Sequence, residues 1–254
     1  MSALFDLSGT TALITGAAQG IGLAIARGLG QAGAALILND KNQDALENSV
    51  ATLAAGGLRV HGCPFDVSDA AQIRRSIPAA EKTAGPIHIL VNNAGIHRRG
   101  PLEDLDESAW REVLNTNLTG VFLVSQQVVR GMIARGAGKI INIASIIGQR
   151  GRATVAPYMA SKGGVIMLTK AMAIEWGKYN IQVNCIGPGF MTTDLNLPLM
   201  ADAQFDAWVR SHTPAGRWGD PSDLVGTAVF LASRASDFVN GQTIFVDGGI
   251  LAAL

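Results

Sequence analysis

The stretch TALITGAAQGIGLAIARGLG, residues 11–30, decides the fold of this chain. Its first five residues form a short apolar run, as in a strand buried on both faces, and its second half has the apolar spacing of a helix. Between them lies a TGxxxGxG motif, whose glycines let the backbone turn sharply and whose following helix offers free N–H groups to a pyrophosphate. The motif predicts a nucleotide-phosphate site, although these glycines could instead serve only to pack the helix against the strand. The residues of the predicted site are Gly16, Gln19, Gly20, Ile21 and Gly22.

The same alternation of a short apolar run and a helix-length segment continues along the chain. The runs are TALIT (11–15), ALILN (35–39), LRVHG (58–62), IHILVN (87–92), KIINIAS (139–145), IQVNCI (181–186) and TIFVD (243–247). Because parallel strands need crossover helices, the pattern predicts a Rossmann-like, doubly wound α/β fold with a seven-stranded parallel sheet and helices on both faces.

No linker or change of composition divides the chain, so we expect a single domain over residues 1–254. Its cofactor-binding motifs lie mainly within residues 9–120, and its catalytic and substrate-side elements lie mainly within residues 139–220. The least regular stretch, residues 187–213, is predicted to be a lid or binding loop, because connections of that length in a compact fold usually have such a role.

Composition argues against several classes of partner and site. The 20 basic side chains balance 20 acidic ones, which gives no reason to expect nucleic acid or an anionic membrane as a partner. Cys63 and Cys185 lack a CxxC spacing and the four histidines are scattered, so neither a disulfide nor a metal site is predicted. The amino terminus is unlike a secretory signal, and no segment approaches the roughly 20 apolar residues of a membrane span. We therefore expect a cytoplasmic protein.

An acidic residue follows the second predicted strand. Asp40 lies roughly 20 positions beyond the glycines, where a carboxylate binds a ribose 2′-hydroxyl and repels a 2′-phosphate. This placement favours NAD(H) as the coenzyme. Lys41 could turn toward a phosphate, so NADP(H) is possible, and Asp40 could alternatively only cap the following helix.

A tyrosine and a lysine lie four positions apart in APYMASKGG, residues 156–164. On a helix, Tyr158 and Lys162 would share one face. A phenol with a pKa near 10 is a weak base at neutral pH, and a neighbouring ammonium group lowers that pKa because it favours the phenolate. The spacing therefore predicts an acid/base pair. The alternative is an ordinary exposed i, i+4 pair of side chains on a helix.

Taken together, the motifs resemble the short-chain dehydrogenase/reductase family over essentially the whole chain. The resemblance rests on TGxxxGxG, NNAG at 92–95, Ser145, the YxxxK pair and PG at 188–189. It implies that Tyr158 is the catalytic acid/base and that Lys162 lowers its pKa and binds the nicotinamide ribose. It also implies that Ser145 holds the substrate oxygen and that Asn117 sustains a proton relay through a water molecule.

The resemblance also implies further coenzyme contacts. Asp66 and Val67 would bind the adenine, and the NNAG turn would lie beside the adenosine ribose. The segment after the sixth strand would lie near the nicotinamide. The residues of each segment could instead only stabilise a turn of the chain. The residues concerned, besides Tyr158 and Lys162, are Asp66, Val67, Asn93, Ala94, Gly95, Pro188, Gly189 and Thr193.

Two basic segments, HRRGP at 97–101 and QRGR at 149–152, follow the fourth and fifth predicted strands. Guanidinium groups bind carboxylates in a bidentate way, so Arg98, Arg99 and Arg152 are predicted substrate contacts beside Ser145 and Tyr158. Trp218 is predicted to cover a sugar chain with its ring. As alternatives, the arginines could be solvated and Trp218 could only anchor the lid.

These substrate-side loops resemble the gluconate 5-dehydrogenase branch of the family. The resemblance implies hydride transfer between NAD(P) and the secondary alcohol of a sugar acid or polyol, with D-gluconate and 5-keto-D-gluconate as the pair. A 3-oxoacyl-acyl-carrier-protein reductase, another polyol or ketone reductase, and a cofactor-sensing binding protein stay open. The apolar carboxyl terminus GGILAAL and the family resemblance lead us to expect a homotetramer, although that segment could fold back onto its own subunit.

Overall fold

A parallel sheet forms the centre of the molecule. Within residues 3–253, which the computed structural model describes, seven strands pair in the order β3-β2-β1-β4-β5-β6-β7. Every pairing is parallel, which confirms the predicted doubly wound α/β fold. The strands are β1 (Thr11–Thr15), β2 (Ala35–Asn39), β3 (Val60–Gly62), β4 (Ile89–Asn92), β5 (Gly138–Ile143), β6 (Ile181–Pro188) and β7 (Thr243–Val246).

The central strands are buried on both faces because helices cover each side. In β1, Ala12 and Ile14 face one core cluster and Leu13 faces the other, which is the alternation expected of a strand. The prediction of burial on both faces is wrong for the two edge strands, because the residues of β3 are partly or fully exposed and those of β7 are half-buried. β3 has a neighbour on one side only, so its outer edge meets solvent, and pairing begins only at Val60.

Helices form the two outer layers. The core cluster that includes Ile25 and Leu46 lies on one face of the sheet, and the cluster that includes Ile73 and Val124 lies on the other. The helices are α1 (Gly20–Gln31), α2 (Gln43–Ala55), α3 (Ala70–Ala84), α4 (Glu107–Leu114), α5 (Gly120–Arg135), α6 (Ala156–Trp176), α7 (Leu197–Met200), α8 (Ala203–His212) and α9 (Val225–Ala232).

The stretch predicted as an irregular lid, residues 187–213, is largely helical. Strand β6 continues to Pro188, and the short helices α7 and α8 follow. Asp202 starts α8 by accepting hydrogen bonds from the main-chain N–H groups of Gln204 and Phe205. An aspartate before a helix is a strong N-terminal signal, so this start was readable from the sequence.

Three further expectations concern the whole chain. No helix among residues 3–253 is long and apolar enough to cross a bilayer. The same residues contain no group of three or more His, Cys, Asp or Glu side chains that could hold a metal ion. The predicted domain limits, residues 1–254, and the last residue of GGILAAL lie outside the described residues, so the limits themselves stay a prediction.

Candidate active site

A cavity opens at the carboxyl ends of the central strands, where an open α/β sheet binds its ligands. The glycine turn after β1 and the NNAG turn after β4 line it on one side. Residues at the ends of β5 and β6 and on α6 form the remaining walls. Of the predicted site residues, it brings together Gly16, Gln19, Gly20, Ile21, Asp40, Asn93, Ala94, Gly95, Arg99, Ser145, Arg152, Tyr158, Lys162, Pro188, Gly189 and Thr193.

The glycine turn after β1 requires its glycines. Gly16 and Gly20 have φ angles of +61° and +56°, a region that other residues rarely adopt. A Cβ atom on Gly16 would lie 2.8 Å from the Cα atom of Ala94. Gly22, predicted as a coenzyme contact, does not line the cavity, because its Cα faces the turn itself and a Cβ there would lie 2.3 Å from the Gly16 oxygen. Gly22 therefore packs the start of α1 against the glycine turn and Asn93, and its role as a coenzyme contact stays a prediction.

The start of α1 fits an anionic ligand. Gln19 precedes the helix in extended conformation, its side chain makes no capping hydrogen bond, and the first turn holds no acidic residue. The first N–H groups of a helix have no partner within it, and their dipoles favour a phosphate. These donors, together with the glycine turn that a Cβ would obstruct, fit the pyrophosphate of a dinucleotide.

A second cavity adjoins the glycine turn on the side of β2 and holds the residues predicted to bind adenosine. Asp40, Asp66, Val67, Ala94 and Gly95 line it. The Asp66 carboxylate accepts hydrogen bonds from the main-chain N–H and the hydroxyl of Ser68, at 2.8 and 2.7 Å. The turn after β3 therefore keeps Asp66 at the cavity wall.

Asp40 has both of its carboxylate oxygens near main-chain donors. They accept hydrogen bonds from the N–H groups of Asn42, at 3.0 Å, and Ala18, at 3.4 Å. The helix that follows is capped by the side chain of Asn42 rather than by Asp40, so the capping alternative does not describe Asp40. Lys41 lines the same cavity and is exposed.

Tyr158 and Lys162 lie one turn apart on α6, as the spacing predicts. Lys162 is 4% exposed, its ammonium group donates a hydrogen bond to the main-chain oxygen of Ile143 at 2.7 Å, and Nζ lies 5.6 Å from the centre of the Tyr158 ring. Burial lowers the pKa of Lys162 to about 8.

The expected lowering of the Tyr158 pKa is not found in the chain alone. Burial raises the pKa of the phenol, because the phenolate is the charged form, and this outweighs the Ser145 hydroxyl and the positive charge of Arg99, which act in the opposite direction. The sequence spacing correctly placed Lys162 near Tyr158. It could not report how strongly burial at the cavity wall raises the pKa of the phenol.

Ser145 follows β5 and is buried. Its Oγ atom accepts a hydrogen bond from the N–H group of Ile147 at 3.2 Å, which fixes the side chain at the end of the strand. The same hydroxyl also hydrogen-bonds Tyr158, so a substrate oxygen held between the two side chains would contact both. Ser145, Tyr158 and Lys162 therefore share one wall of the cavity, in agreement with their predicted grouping.

Asn117 lies behind that wall and does not line the cavity. It sits in a π-helical turn, Asn115–Thr119, between α4 and α5, a feature common at functional sites. Its amide oxygen accepts from the N–H of Ile96 at 2.8 Å, and its amide nitrogen donates to the Ile96 oxygen at 2.9 Å and to the Ser161 hydroxyl at 3.2 Å. These bonds tie the loop after β4 to α6, whereas the predicted proton relay stays a prediction.

The three predicted arginines have different surroundings. Arg98 forms a bidentate pair with Glu112, with two N···O distances of 2.8 Å, and it does not line the cavity. The structure therefore does not bring Arg98 together with the other predicted substrate contacts, because a carboxylate of the chain already holds its guanidinium group. Arg99 and Arg152 line the cavity, and among the described residues neither has an ion-pair partner.

Trp218, predicted to cover a sugar, is buried away from the cavity. Its indole N–H donates to the Asp206 carboxylate at 2.7 Å, and its ring packs edge-on against Phe190 at 5.7 Å and Phe205 at 6.2 Å between centroids. Trp218 thus anchors α8, which is the alternative considered from the sequence. The Arg152 guanidinium lies 4.3 Å from the centre of the Phe205 ring, so α8 also supports the substrate-side arginine.

Sequence reasoning missed His97 as a member of the site. Its ring stacks on the ring of Tyr158, with centroids 4.6 Å apart and planes 10° from parallel. Burial, together with the charge of Arg99, lowers the pKa of His97 to about 4, while a main-chain contact at Arg98 acts in the opposite direction. Its position in HRRGP directly after the fourth strand was the available signal.

Comparison with known proteins identifies relatives of full length. A family model described as Enoyl-(Acyl carrier protein) reductase matches residues 16–251. The chain is 50% identical to the 5-keto-D-gluconate 5-reductase of Escherichia coli (strain K12) over 254 residues, which covers all of both chains. It is 48% identical to the gluconate 5-dehydrogenase of Gluconobacter oxydans (strain 621H) over 251 residues, 99% of this chain and 98% of that protein.

Solved structures show the same similarity. A gluconate 5-dehydrogenase from Burkholderia cenocepacia J2315, crystallised in complex with NADP and tartrate, superimposes with a TM-score of 0.97. It is 50% identical, and the match covers 99% of each chain.

Proposed function

Because this chain belongs to the short-chain dehydrogenase/reductase family, we propose that it transfers a hydride between a nicotinamide coenzyme and a secondary alcohol or ketone of a sugar acid, D-gluconate and 5-keto-D-gluconate in particular. The predicted family and the resemblance to gluconate 5-dehydrogenases are confirmed by relatives that match over the full length. One observation of this chain carries the substrate class: Arg99 and Arg152 line the cavity beside Tyr158, and neither forms an ion pair with another described residue.

Arg99 and Arg152 make the cavity suitable for an anion. Burial lowers the pKa of both guanidinium groups, and the charge of Arg99 lowers that of Arg152 further, so the two positive charges repel each other at the cavity wall. A substrate carboxylate would relieve that repulsion and accept charge-assisted hydrogen bonds. The tartrate in the Burkholderia cenocepacia structure is a hydroxylated dicarboxylate, a compound of the same chemical class.

The wall formed by Ser145, Tyr158 and Lys162 supports the chemistry. A bound nicotinamide ring supplies or accepts the hydride in this reaction class. Tyr158 would take the proton of the substrate hydroxyl during oxidation and return it during reduction, while Ser145 would hold the same oxygen. With a pKa of about 8, Lys162 is mostly protonated at pH 7, and the positive charge that lowers the Tyr158 pKa against the effect of burial is that of Arg99.

For the coenzyme, we propose that the chain accepts NADP(H), although the preference predicted from Asp40 is for NAD(H). Main-chain N–H groups partly offset the negative charge of Asp40, and Lys41 lines the same cavity with an exposed side chain that can reach a 2′-phosphate. The NADP bound in the Burkholderia cenocepacia structure supports this choice.

A homotetramer is the assembly that we propose, in keeping with the sequence-based prediction. Phe122 on α5 and Met167 and Ile174 on α6 are 42%, 61% and 81% exposed, and such large apolar side chains are better buried against another copy. For the carboxyl-terminal segment, the hydrogen bonds from Arg150 to the main-chain oxygens of Leu251 and Ala253 support the alternative that it folds back onto its own subunit. Light scattering after size exclusion would measure the assembly. The cytoplasmic location stays a prediction.

An assay of the purified chain with both coenzymes tests the function. We expect oxidation of D-gluconate and reduction of 5-keto-D-gluconate, weak activity on polyols without a carboxylate, and no activity on an acetoacetyl thioester. Preferential turnover of the thioester would instead support an acyl-carrier-protein reductase, the reaction class in the description of the family model. Tight binding of the coenzyme without turnover of any substrate would indicate a cofactor-sensing protein.

A further inference from the structure

His97 lies in the active-site wall, although the proposed reaction assigns it no role. Its imidazole ring covers the ring of Tyr158 in a nearly parallel stack and lines the cavity together with Arg99 and Arg152. Stacked aromatic pairs restrict each other's orientation. His97 is therefore placed to fix the plane of the phenol that exchanges the proton.

The chemistry of His97 differs from that of the two arginines beside it. Because burial lowers its pKa to about 4, the ring is neutral at physiological pH. A neutral imidazole carries one donor and one acceptor nitrogen, which suits a hydroxyl group, whereas the guanidinium groups suit a carboxylate. The same wall thus offers separate partners for the two kinds of group that a sugar acid carries.

One ring nitrogen of His97 lacks a partner. Two buried side-chain atoms among the described residues have none, His97 Nδ1 and Asn39 Oδ1, and both residues line the ligand cavities. Buried polar atoms in folded proteins are almost always hydrogen-bonded. Because His97 lines the cavity, a ligand bound there could supply the partner that this ring lacks.

We propose that His97 determines specificity for hydroxylated substrates: its ring orients Tyr158, and a ring nitrogen binds the hydroxyl group on a carbon next to the reacting carbon. This inference rests on the proposed function, because it assigns the neighbouring hydroxyl of the sugar acid to a particular side chain. It implies discrimination between a hydroxylated keto acid and a plain keto acid of the same length.

A matched pair of substrates tests this role. 5-Keto-D-gluconate and 5-oxohexanoate share the chain length, the carboxylate and the position of the ketone, and only the former carries hydroxyl groups. The variant His97→Phe keeps an aromatic stack on Tyr158 but removes both nitrogens, and His97→Asn keeps a polar group near the position of Nδ1 but removes the stack. The ratio of kcat/KM for the two substrates is the readout, and the Kd of NADPH is the control.

We expect His97→Phe to lower that ratio by about tenfold or more, through 5-keto-D-gluconate alone, since one hydrogen bond in a desolvated site is lost. His97→Asn should recover part of the ratio while lowering kcat for both substrates, because Tyr158 loses its stacked neighbour. If 5-oxohexanoate reacts too slowly for a kcat/KM, its inhibition constant is measured instead. If His97→Phe does not fold, His97→Leu takes its place.

The possible failures can be told apart. A wild-type chain that reduces 5-keto-D-gluconate, combined with an unchanged ratio in His97→Phe, overturns the role of His97 and leaves the proposed function intact. A wild-type chain that binds NADPH but does not reduce 5-keto-D-gluconate overturns the proposed function, and the role of His97 with it.

Discussion

The ammonium group of Lys162 donates a hydrogen bond of 2.7 Å to the main-chain oxygen of Ile143. Ile143 is the last residue of β5, so this bond joins α6 to the carboxyl end of the sheet. Ser145 lies two residues beyond Ile143, and Tyr158 lies one helical turn before Lys162. The bond therefore fixes the distance between the hydroxyl that would hold the substrate oxygen and the phenol that would exchange its proton.

Replacement of Tyr158 by phenylalanine should reduce turnover by roughly 10²- to 10⁴-fold, the usual contribution of a positioned acid/base. The ring and its stack on His97 would remain, so the Kd of the coenzyme should stay close to the wild-type value. Steady-state kinetics and coenzyme titration by fluorescence measure the two effects. The other tyrosine of the chain, Tyr179, is partly exposed and remote from the cavity, so Tyr179→Phe is the matched control. Retained activity in Tyr158→Phe would exclude Tyr158 as the proton donor.

Replacement of Lys162 by methionine should change how stability depends on pH. The pKa of Lys162 is about 8 in the folded chain and 10.5 for a free side chain, so below pH 8 the folded state carries a buried charge at a cost that the unfolded state does not have. Between about pH 8 and 10.5 the unfolded state binds more protons, so the wild type gains stability over that range. The free energy of unfolding of Lys162→Met minus that of the wild type should therefore fall as pH rises.

Urea denaturation of both proteins at pH 7.5 and pH 10 measures this difference in the free energy of unfolding. The subtraction cancels the contributions of groups that titrate in both proteins. Lys170→Met, on the exposed side of the same helix, is the control and should show no such trend. An equal difference between Lys162→Met and wild type at the two pH values would show that the ammonium group is not desolvated.

The fold and most of the cofactor cavity could be predicted because local sequence determines them. Gly16 and Gly20 require positive φ angles, and the apolar runs of the strands identify the parallel sheet, so short motifs are sufficient there. The expectation of irregular backbone is wrong for residues 197–212, although Asp202 is an ordinary helix cap, and the lid role of the stretch stays a prediction. That failure reflects a missed local signal and not a tertiary effect.

The substrate side was less predictable because long-range pairing decides which side chains stay available. Nothing in HRRGP distinguishes Arg98 from Arg99, and the difference arises from Glu112 on α4, 14 positions further along the chain. Trp218 is likewise withdrawn from the cavity by Asp206 and by the rings of α8. The stack of His97 on Tyr158 joins residues 61 positions apart, and no spacing rule reports such a contact.

Arg99 and Arg98 form a natural pair of variants for the substrate carboxylate. We expect Arg99→Gln and Arg152→Gln each to raise the KM for D-gluconate by roughly 10- to 100-fold, because each removes a charge-assisted hydrogen bond worth about 1.5–3 kcal/mol. Arg98→Gln should leave this KM within about twofold, since its guanidinium group is held by Glu112 outside the cavity. Initial-rate kinetics at saturating coenzyme provide the comparison. Equal effects of Arg98→Gln and Arg99→Gln would contradict the assignment of the carboxylate to the cavity arginines.

Two neighbouring residues, Asp40 and Lys41, should control the choice of coenzyme in opposite directions. In Asp40→Ala the 2′-phosphate of NADP is no longer repelled, and the 2′-hydroxyl of NAD loses a hydrogen-bond partner. The ratio of KM for NAD to KM for NADP should therefore rise. Removal of the ammonium group in Lys41→Met should lower the same ratio, because an attraction to the 2′-phosphate is lost. The effect of Lys41→Met should also weaken at high salt, since an exposed ion pair is screened. Lys178→Met, an exposed charge removed outside both cavities, is the control and should not change the ratio. A ratio that is unchanged in Lys41→Met at low salt would show that the 2′-phosphate is recognised elsewhere in the chain.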